Sequence, residues 1–151
     1  MIDYIKNLIL SAFQDIKLEN GVGLWEAQAI DDYESKANQL VARNRDIKDN
    51  WQEISADDLT RCDSSLSFFD GKGMCFHLPA FVILELNREG NGSVLFHLTH
   101  NYKYHKDKFN ILNSEQSHAV VTFLEWCFMQ PDYEFEKPHI QRAIEEFWYE
   151  N

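Results

Sequence analysis

The start of the chain carries the clearest alternation of apolar and polar positions. Apolar residues recur at three- and four-residue spacing from Ile2 to Ile16, which predicts a helix with one face on a core. The segment Asn20–Gly23 contains two glycines and predicts its end. A second helix is predicted from Leu24 to about Val41, with Tyr33 and Leu40 among its inward positions.

The middle of the chain changes character. A serine followed by acids at 55–58 is typical of a helix start. Short apolar runs on either side of Gly71–Gly73 then predict a β-hairpin over 66–78. Pro79 is predicted to open the next helix, which runs to Arg88. Ser93–Thr99 fits a strand or a buried helical turn equally well, because seven residues are too few for periodicity to decide.

The last third of the chain is predicted to be helical again. One helix opens at Ser114 and is stopped by Pro131, and another begins near Pro138. A length of 151 residues corresponds to one domain. The sequence therefore predicts a single compact domain over 1–151, of the α+β class, mostly α-helical with one small β-hairpin.

Charge and cysteine content narrow the classes of partner and compartment. The chain has 25 acidic against 14 basic side chains, a net charge of −11, which disfavours nucleic acid and anionic membranes as partners. The longest apolar run, Leu78–Leu84, is too short to span a bilayer, and the N-terminus lacks the pattern of a secretory signal. The three cysteines lie far apart and are expected to be reduced, so a cytoplasmic location is predicted.

Several segments resemble a known family. Gly23–Tyr33, Leu66–Asp70 and Phe76–Phe81 are similar to segments of a bacterial family of small proteins catalogued only as a domain of unknown function, and Phe109–Gln116 and Ala119–Leu124 resemble its C-terminal helix opening. The resemblance covers roughly residues 5–148. It implies a bacterial origin and a single-domain fold. None of these motifs is a catalytic signature, so no activity is implied.

Acidic residues are concentrated in the first half of the chain. If the two acidic segments lie side by side, they form a negative surface that would steer a basic protein partner; otherwise they are solvated outer faces. A tryptophan among these acids would be a natural interface anchor. The candidate partner-binding residues are Glu26, Asp31, Asp32, Trp51, Asp57 and Asp58. On this interpretation the chain is an interaction module, analogous in size and charge to the inhibitors that neutralise toxins.

An enzyme or small-ligand binder is the alternative hypothesis. Its pocket would lie near the predicted hairpin and use Glu26, Cys75 and His77. Cys75 and His77 are two residues apart, so on a strand their side chains would share one face. No nucleophile elbow, phosphate-binding loop or dinucleotide fingerprint supports a particular chemistry, so the sequence names no catalytic residue.

Two further clusters contain residue types that bind ligands. His97 and His100 would meet on a helix but point apart on a strand, and no third ligand stands nearby, so we predict no metal and no cofactor. The basic segment His100–Lys108 includes two tyrosines, a composition that can contact nucleic acid. It is short and interrupted by Asp107, so no nucleic-acid binding is predicted. The sequence leaves the oligomeric state open.

Overall fold

A computed structural model describes residues 1–150, and this part of the chain is built from α-helices and short 3-10 turns without a β-strand. The predicted α+β class, with its hairpin over 66–78, is therefore wrong: the fold is all-α. The helices are α1 (Ile2–Ala12), α2 (Leu24–Asp31), α3 (Lys36–Asn44), α4 (Ala56–Arg61), α5 (Gly71–Leu86), α6 (Ser93–Thr99), α7 (Lys106–Phe109), α8 (Ser114–Phe128) and α9 (Lys137–Glu146). The 3-10 turns are Trp51–Glu53, Asp63–Ser67, Pro131–Glu136 and Trp148–Glu150.

The segment predicted as a hairpin is the end of a 3-10 turn and the first half of helix α5. The Asp70 carboxylate accepts a hydrogen bond from the Gly73 N–H at 2.8 Å and caps the helix. A Cβ on Gly73 would lie 2.6 Å from the Val22 carbonyl oxygen, so the glycine is needed for close packing rather than for a turn. Twelve of the sixteen residues of α5 are buried, which removes the polar stripe that would have revealed a helix. Pro79 lies inside α5 and does not open it.

The predicted second helix is two helices. Tyr33 has a left-handed backbone (φ 58°), which ends α2, and the Ser35 hydroxyl accepts a hydrogen bond from the Asn38 N–H to begin α3. The first helix also ends earlier than predicted, at Ala12. The helix start at Ser55 is confirmed, since its hydroxyl caps α4, and Ser93–Thr99 is a helix rather than a strand.

Helix α5 is the centre of the packing. It contacts α1, α4, α6 and α7, while α8 packs on α1 and α9. Two buried indoles tie loops to this core: the Trp51 Nε1–H donates to the Phe13 carbonyl and the Trp148 Nε1–H to the Leu98 carbonyl, both at 2.9 Å. Helices α2 and α3 form a hairpin that packs mainly through α2 on the 63–67 turn.

The helices fall short of what a membrane span requires. Across residues 1–150, none combines the length and the apolar character that crossing a bilayer needs.

Candidate functional site

The base of the α2–α3 hairpin is a buried polar network. Asp46, which follows α3, accepts hydrogen bonds from the backbone N–H groups of Trp25 (2.6 Å) and Glu26 (3.2 Å) in the first turn of α2. Burial raises the pKa of Asp46, while these two backbone donors favour its charged form. A Cβ on Gly23 would collide with the Asp46 carboxylate, so the glycine makes room for it. The turn after α3 is thereby held to the start of α2.

Arg43 is the second polar anchor of α3. Its guanidinium pairs with the Glu26 carboxylate at 2.9 Å and also donates to the carbonyls of Glu19 (2.6 Å) and Gly21. Glu26 in turn accepts the Gly23 N–H at 2.9 Å and completes the cap of α2. The structure therefore gives Glu26 a role inside the domain, with only 17% of its side chain exposed.

The apolar residues of α3 face solvent. No residue of this helix is buried, and by helical spacing Ala37, Leu40 and Val41 share one face. Leu40 and Val41 are 61% and 67% exposed, and Tyr33 in the preceding turn is 96% exposed. The prediction of Tyr33 and Leu40 as inward positions is wrong, because the helix breaks between them and turns its apolar stripe outward.

A groove of about 330 Å³ runs between α2 and α3 beside this apolar face. Trp25, Ala29 and Val41 supply apolar lining, and Asp32 and Glu34 supply carboxylates. The other residues that line the groove are Gln28, Asn38, Ala42 and Arg45. The Arg45 guanidinium lies 3.8 Å from the centre of the Trp25 ring, a cation–π contact at one side of the groove.

Cys62, which follows α4, has a buried thiol. Burial is the main cause that raises the pKa of this thiol to about 12, and the charges of Asp46, Asp58 and Asp32 raise it further. The thiolate of Cys62 is therefore disfavoured.

The other two predicted acids are placed less favourably for a partner. Asp57 is exposed but pairs with Arg61 in its own helix at 2.9 Å. Asp31 is half-buried at the end of α2. Among the predicted acids Asp32 is exposed and lines the groove together with Glu34, whereas Asp58 is half-buried like Asp31.

Trp51 does not lie on this surface. It is 4% exposed and its indole N–H is taken by the Phe13 carbonyl, so the prediction of an exposed aromatic anchor at Trp51 is wrong. The 3-10 turn Trp51–Glu53 explains this burial. It leaves the acids on either side of Trp51, Asp49 and Glu53, exposed to solvent and turns the indole into the core.

The alternative pocket is not assembled either. Cys75 and His77 lie two residues apart on a helix, which places them on nearly opposite sides, and Glu26 is held by Arg43. His77 is fully buried, with its ring stacked on Phe69 at 4.3 Å and its Nδ1–H donating to the Gly73 carbonyl at 2.7 Å. Burial lowers the pKa of His77 to about 4 and raises that of Cys75 to about 11, so the thiolate is disfavoured.

His97 and His100 are also separated. His97 is buried and its Nδ1 lies 2.9 Å from Nε2 of His105, whereas His100 is exposed and pairs with Glu136 at 3.1 Å. Burial lowers the pKa of both His97 and His105 to about 4. Throughout 1–150, no three His, Cys, Asp or Glu side chains are grouped so as to hold a metal ion.

Sequence reasoning missed the apolar part of this surface. Tyr33 and Leu40 fitted a long inward-facing stripe only if the helix was continuous to about Val41. The sequence did contain a signal for this break, because serine is a preferred N-cap residue and Ser35 indicates that a new helix begins there.

Comparison with known proteins places the chain in a family. A model described as "Family of unknown function (DUF6714)" matches residues 1–151, so the chain belongs to this family. The resemblance to a domain of unknown function is thereby confirmed. No curated protein and no solved structure matches the chain.

Proposed function

We propose that this protein is an interaction module that binds a basic segment of a protein partner on the surface formed by α2 and α3. The observation that carries the proposal is the outward apolar face of α3: a helix with no buried residue presents Leu40 and Val41 to solvent, next to the strongly exposed Tyr33. Exposed apolar patches rimmed by polar groups are typical of protein-binding sites.

Charge supports a basic partner. Asp32 and Glu34 line the groove next to the apolar face, and the whole chain carries a net charge of −11. Complementary potential raises the rate of encounter, and the apolar contacts then hold the complex. A partner segment that combines Lys or Arg with aliphatic or aromatic side chains fits both features.

The construction of the hairpin supports a stable binding surface. Arg43 and Asp46 fix α3 from its inner side through hydrogen bonds, so the outer face is not needed to hold the helix in place. A rigid helix loses little conformational entropy when a partner binds. An inhibitor or immunity-like role is the form of interaction module that we favour for a chain of this size and charge.

Peptide display tests this proposal, because it selects binding segments from a random library and does not require an identified partner. Peptides selected on the full chain would be compared for binding to Leu40→Ser/Val41→Ser and to Met129→Ser. Met129 is 73% exposed but lies at the end of α8, so its variant removes apolar surface away from the α2–α3 hairpin. We expect basic, apolar peptides that lose affinity at least about tenfold on the double variant, as for interface hot spots, and keep it on Met129→Ser.

Charge reversal gives a second test with the same peptides. Asp31→Lys/Asp32→Lys should slow association by about an order of magnitude, and added salt should slow the wild type in the same direction. Selected peptides without basic residues, or peptides that bind all variants equally well, would contradict the proposed interface.

A further inference from the structure

A second cavity lies at the other end of the central helix. It has a volume of about 310 Å³ and lies between the end of α5, the start of α6 and the 131–136 turn. The residues that line it are Glu85, Asn91, Gly92, Leu95, Phe96, Asp132, Tyr133 and Glu136. Gly73 in the first turn of α5 packs against the 18–22 loop, close to the start of α2. Glu85 lies twelve positions further along the helix, a rise of roughly 18 Å. This cavity is therefore distinct from the proposed protein-binding surface.

The inner wall of the cavity carries a buried carboxylate. Glu85 is only 5% exposed, and it accepts hydrogen bonds from the Gly92 N–H (3.0 Å) and the Tyr133 hydroxyl (2.6 Å). A Cβ on Gly90 would collide with this carboxylate, so the loop after α5 is shaped around it. The position of the Glu85 side chain is thus closely defined by its surroundings.

In the part of the chain that the structure describes, the Glu85 carboxylate has no basic side chain as an ion-pair partner. Within residues 1–150 its two hydrogen-bond donors are neutral. Buried charges in proteins are usually paired, and a carboxylate has about four acceptor positions, of which two are used here. Glu85 therefore retains acceptor capacity on the cavity that it lines.

The remaining lining suits a positively charged group. Phe96 and Tyr133 supply aromatic rings, whose faces attract cations, and Leu95 supplies an apolar surface. Asp132 and Glu136 also line the cavity, but they already pair with Arg88 and His100 respectively, so Glu85 is the lining carboxylate that is left for a ligand. A volume near 300 Å³ is at the lower end of the range for small-molecule sites.

We propose that the Glu85 cavity binds an organic cation, a primary ammonium or guanidinium group carried on a short aliphatic chain. The charged group pairs with the Glu85 carboxylate and lies over the ring of Phe96 or Tyr133, and the aliphatic part contacts Leu95. Such a group can belong to a free amine or to a lysine or arginine side chain of a polypeptide, and the site recognises the chemistry that they share.

Titration of the ¹⁵N-labelled full chain tests the proposal. Two probes are used at constant ionic strength, 1,4-diaminobutane for a free amine and Nα-acetyl-lysine amide for a side chain, with 1-butanol as the uncharged control. We expect the Gly92 amide to shift with a Kd of about 1 mM or lower for at least one amine and no saturable shift with butanol. The tighter of the two amines identifies the source.

Substitutions locate the site. Glu85→Gln keeps the shape but removes the charge and should weaken amine binding by about tenfold or more. The control Glu134→Gln removes one charge from the neighbouring turn, where Glu134 is exposed and pairs with Lys137, and should leave Kd unchanged. Phe96 is partly exposed, so Phe96→Leu keeps the fold and should weaken binding about two- to fivefold through the lost cation–π contact.

Three outcomes of these experiments would contradict binding of an organic cation at Glu85. If both amines leave the Gly92 amide unshifted, or butanol binds as tightly as the amines, the proposal is wrong. It is also wrong if Glu85→Gln and Glu134→Gln weaken binding equally, because the amines would then respond to the overall negative charge. Since peptide display reports on α3 and this titration on Glu85, failure of one proposal is distinguishable from failure of the other.

Discussion

Helices α5 and α3 show two different ways of stabilising a helix in one small domain. Helix α5 buries twelve of its sixteen residues and contacts four other helices, so apolar packing holds it. Helix α3 buries none of its nine residues and is held by Ser35 at its start and by Arg43 and Asp46 at its end. The apolar residues of α3 are therefore not needed for its place in the fold, which leaves them available to bind a partner.

The same substitution in the two helices gives the largest expected contrast. Leu78→Ala in α5 removes a side chain that is 1% exposed and should lower the free energy of unfolding by about 2–5 kcal/mol. Leu40→Ala in α3 should change it by no more than about 0.5 kcal/mol. Urea denaturation of both variants measures the difference. Similar losses in the two variants would show that Leu40 contributes to the core, contrary to this comparison.

The polar anchor of α3 gives the next largest effect. Arg43→Ala removes an ion pair and two hydrogen bonds to carbonyls, and should cost about 2 kcal/mol. Arg45→Ala is the matched control, because Arg45 is exposed and its stacking on Trp25 is worth about 0.5–1 kcal/mol. Hydrogen exchange should show the loss concentrated in α2 and α3. A loss spread evenly over α5 and α8 would mean that Arg43 supports the whole domain.

Much of the helical architecture follows from sequence patterns, and the failures have physical causes. Amphipathic spacing predicted the helix that opens at Ser114 because α8 has exposed residues as well as a buried face. In α5 the pattern failed since almost every side chain is buried, and Gly71–Gly73, which resembles a turn, is its first turn. The groove between α2 and α3 could not be predicted, because it depends on the contacts that Arg43 and Asp46 make across the chain.

Acid should destabilise the fold through three buried histidines. Burial lowers the pKa of His77, His97 and His105 to about 4 in the folded protein, against about 6.5 in the unfolded chain. The unfolded state therefore binds more protons between these values, and stability is lost as pH falls from 6.5 towards 4. Lowering the pH from 6.5 to 5.5 should cost about 1 kcal/mol for His77, with a further loss from the hydrogen-bonded pair of His97 and His105.

Urea denaturation at several pH values measures this dependence. Replacing His77 with Phe should reduce the slope of stability against pH over this interval, whereas His118→Gln should not, since His118 is exposed on α8. An unchanged slope in the His77 variant would show that the buried imidazole is not the titrating group.

The cap of α3 gives the smallest expected effect. Ser35→Ala removes the hydroxyl that accepts the Asn38 N–H and should cost about 0.5 kcal/mol, the low end of the capping range, because this helix end is exposed. Ser114→Ala is the control, since α8 is capped by Asn113 and the Ser114 side chain is not its cap. Thermal unfolding measures the loss of stability in both variants. Equal losses for Ser35→Ala and Ser114→Ala would show that the Ser35 cap does not stabilise the fold.

The proposed binding of a basic protein segment to the outer face of α3 can be tested in cells. Photo-crosslinking in the native host tests it most directly, with the crosslinking side chain placed at Val41 in one variant and at Met129 in another, two apolar positions of similar exposure on different parts of the surface. We expect position 41 to crosslink to a basic protein and Asp31→Lys/Asp32→Lys to lower the yield of this product severalfold. Crosslinking only from position 129, or a yield at position 41 that the charge reversal does not lower, would contradict the proposed interface.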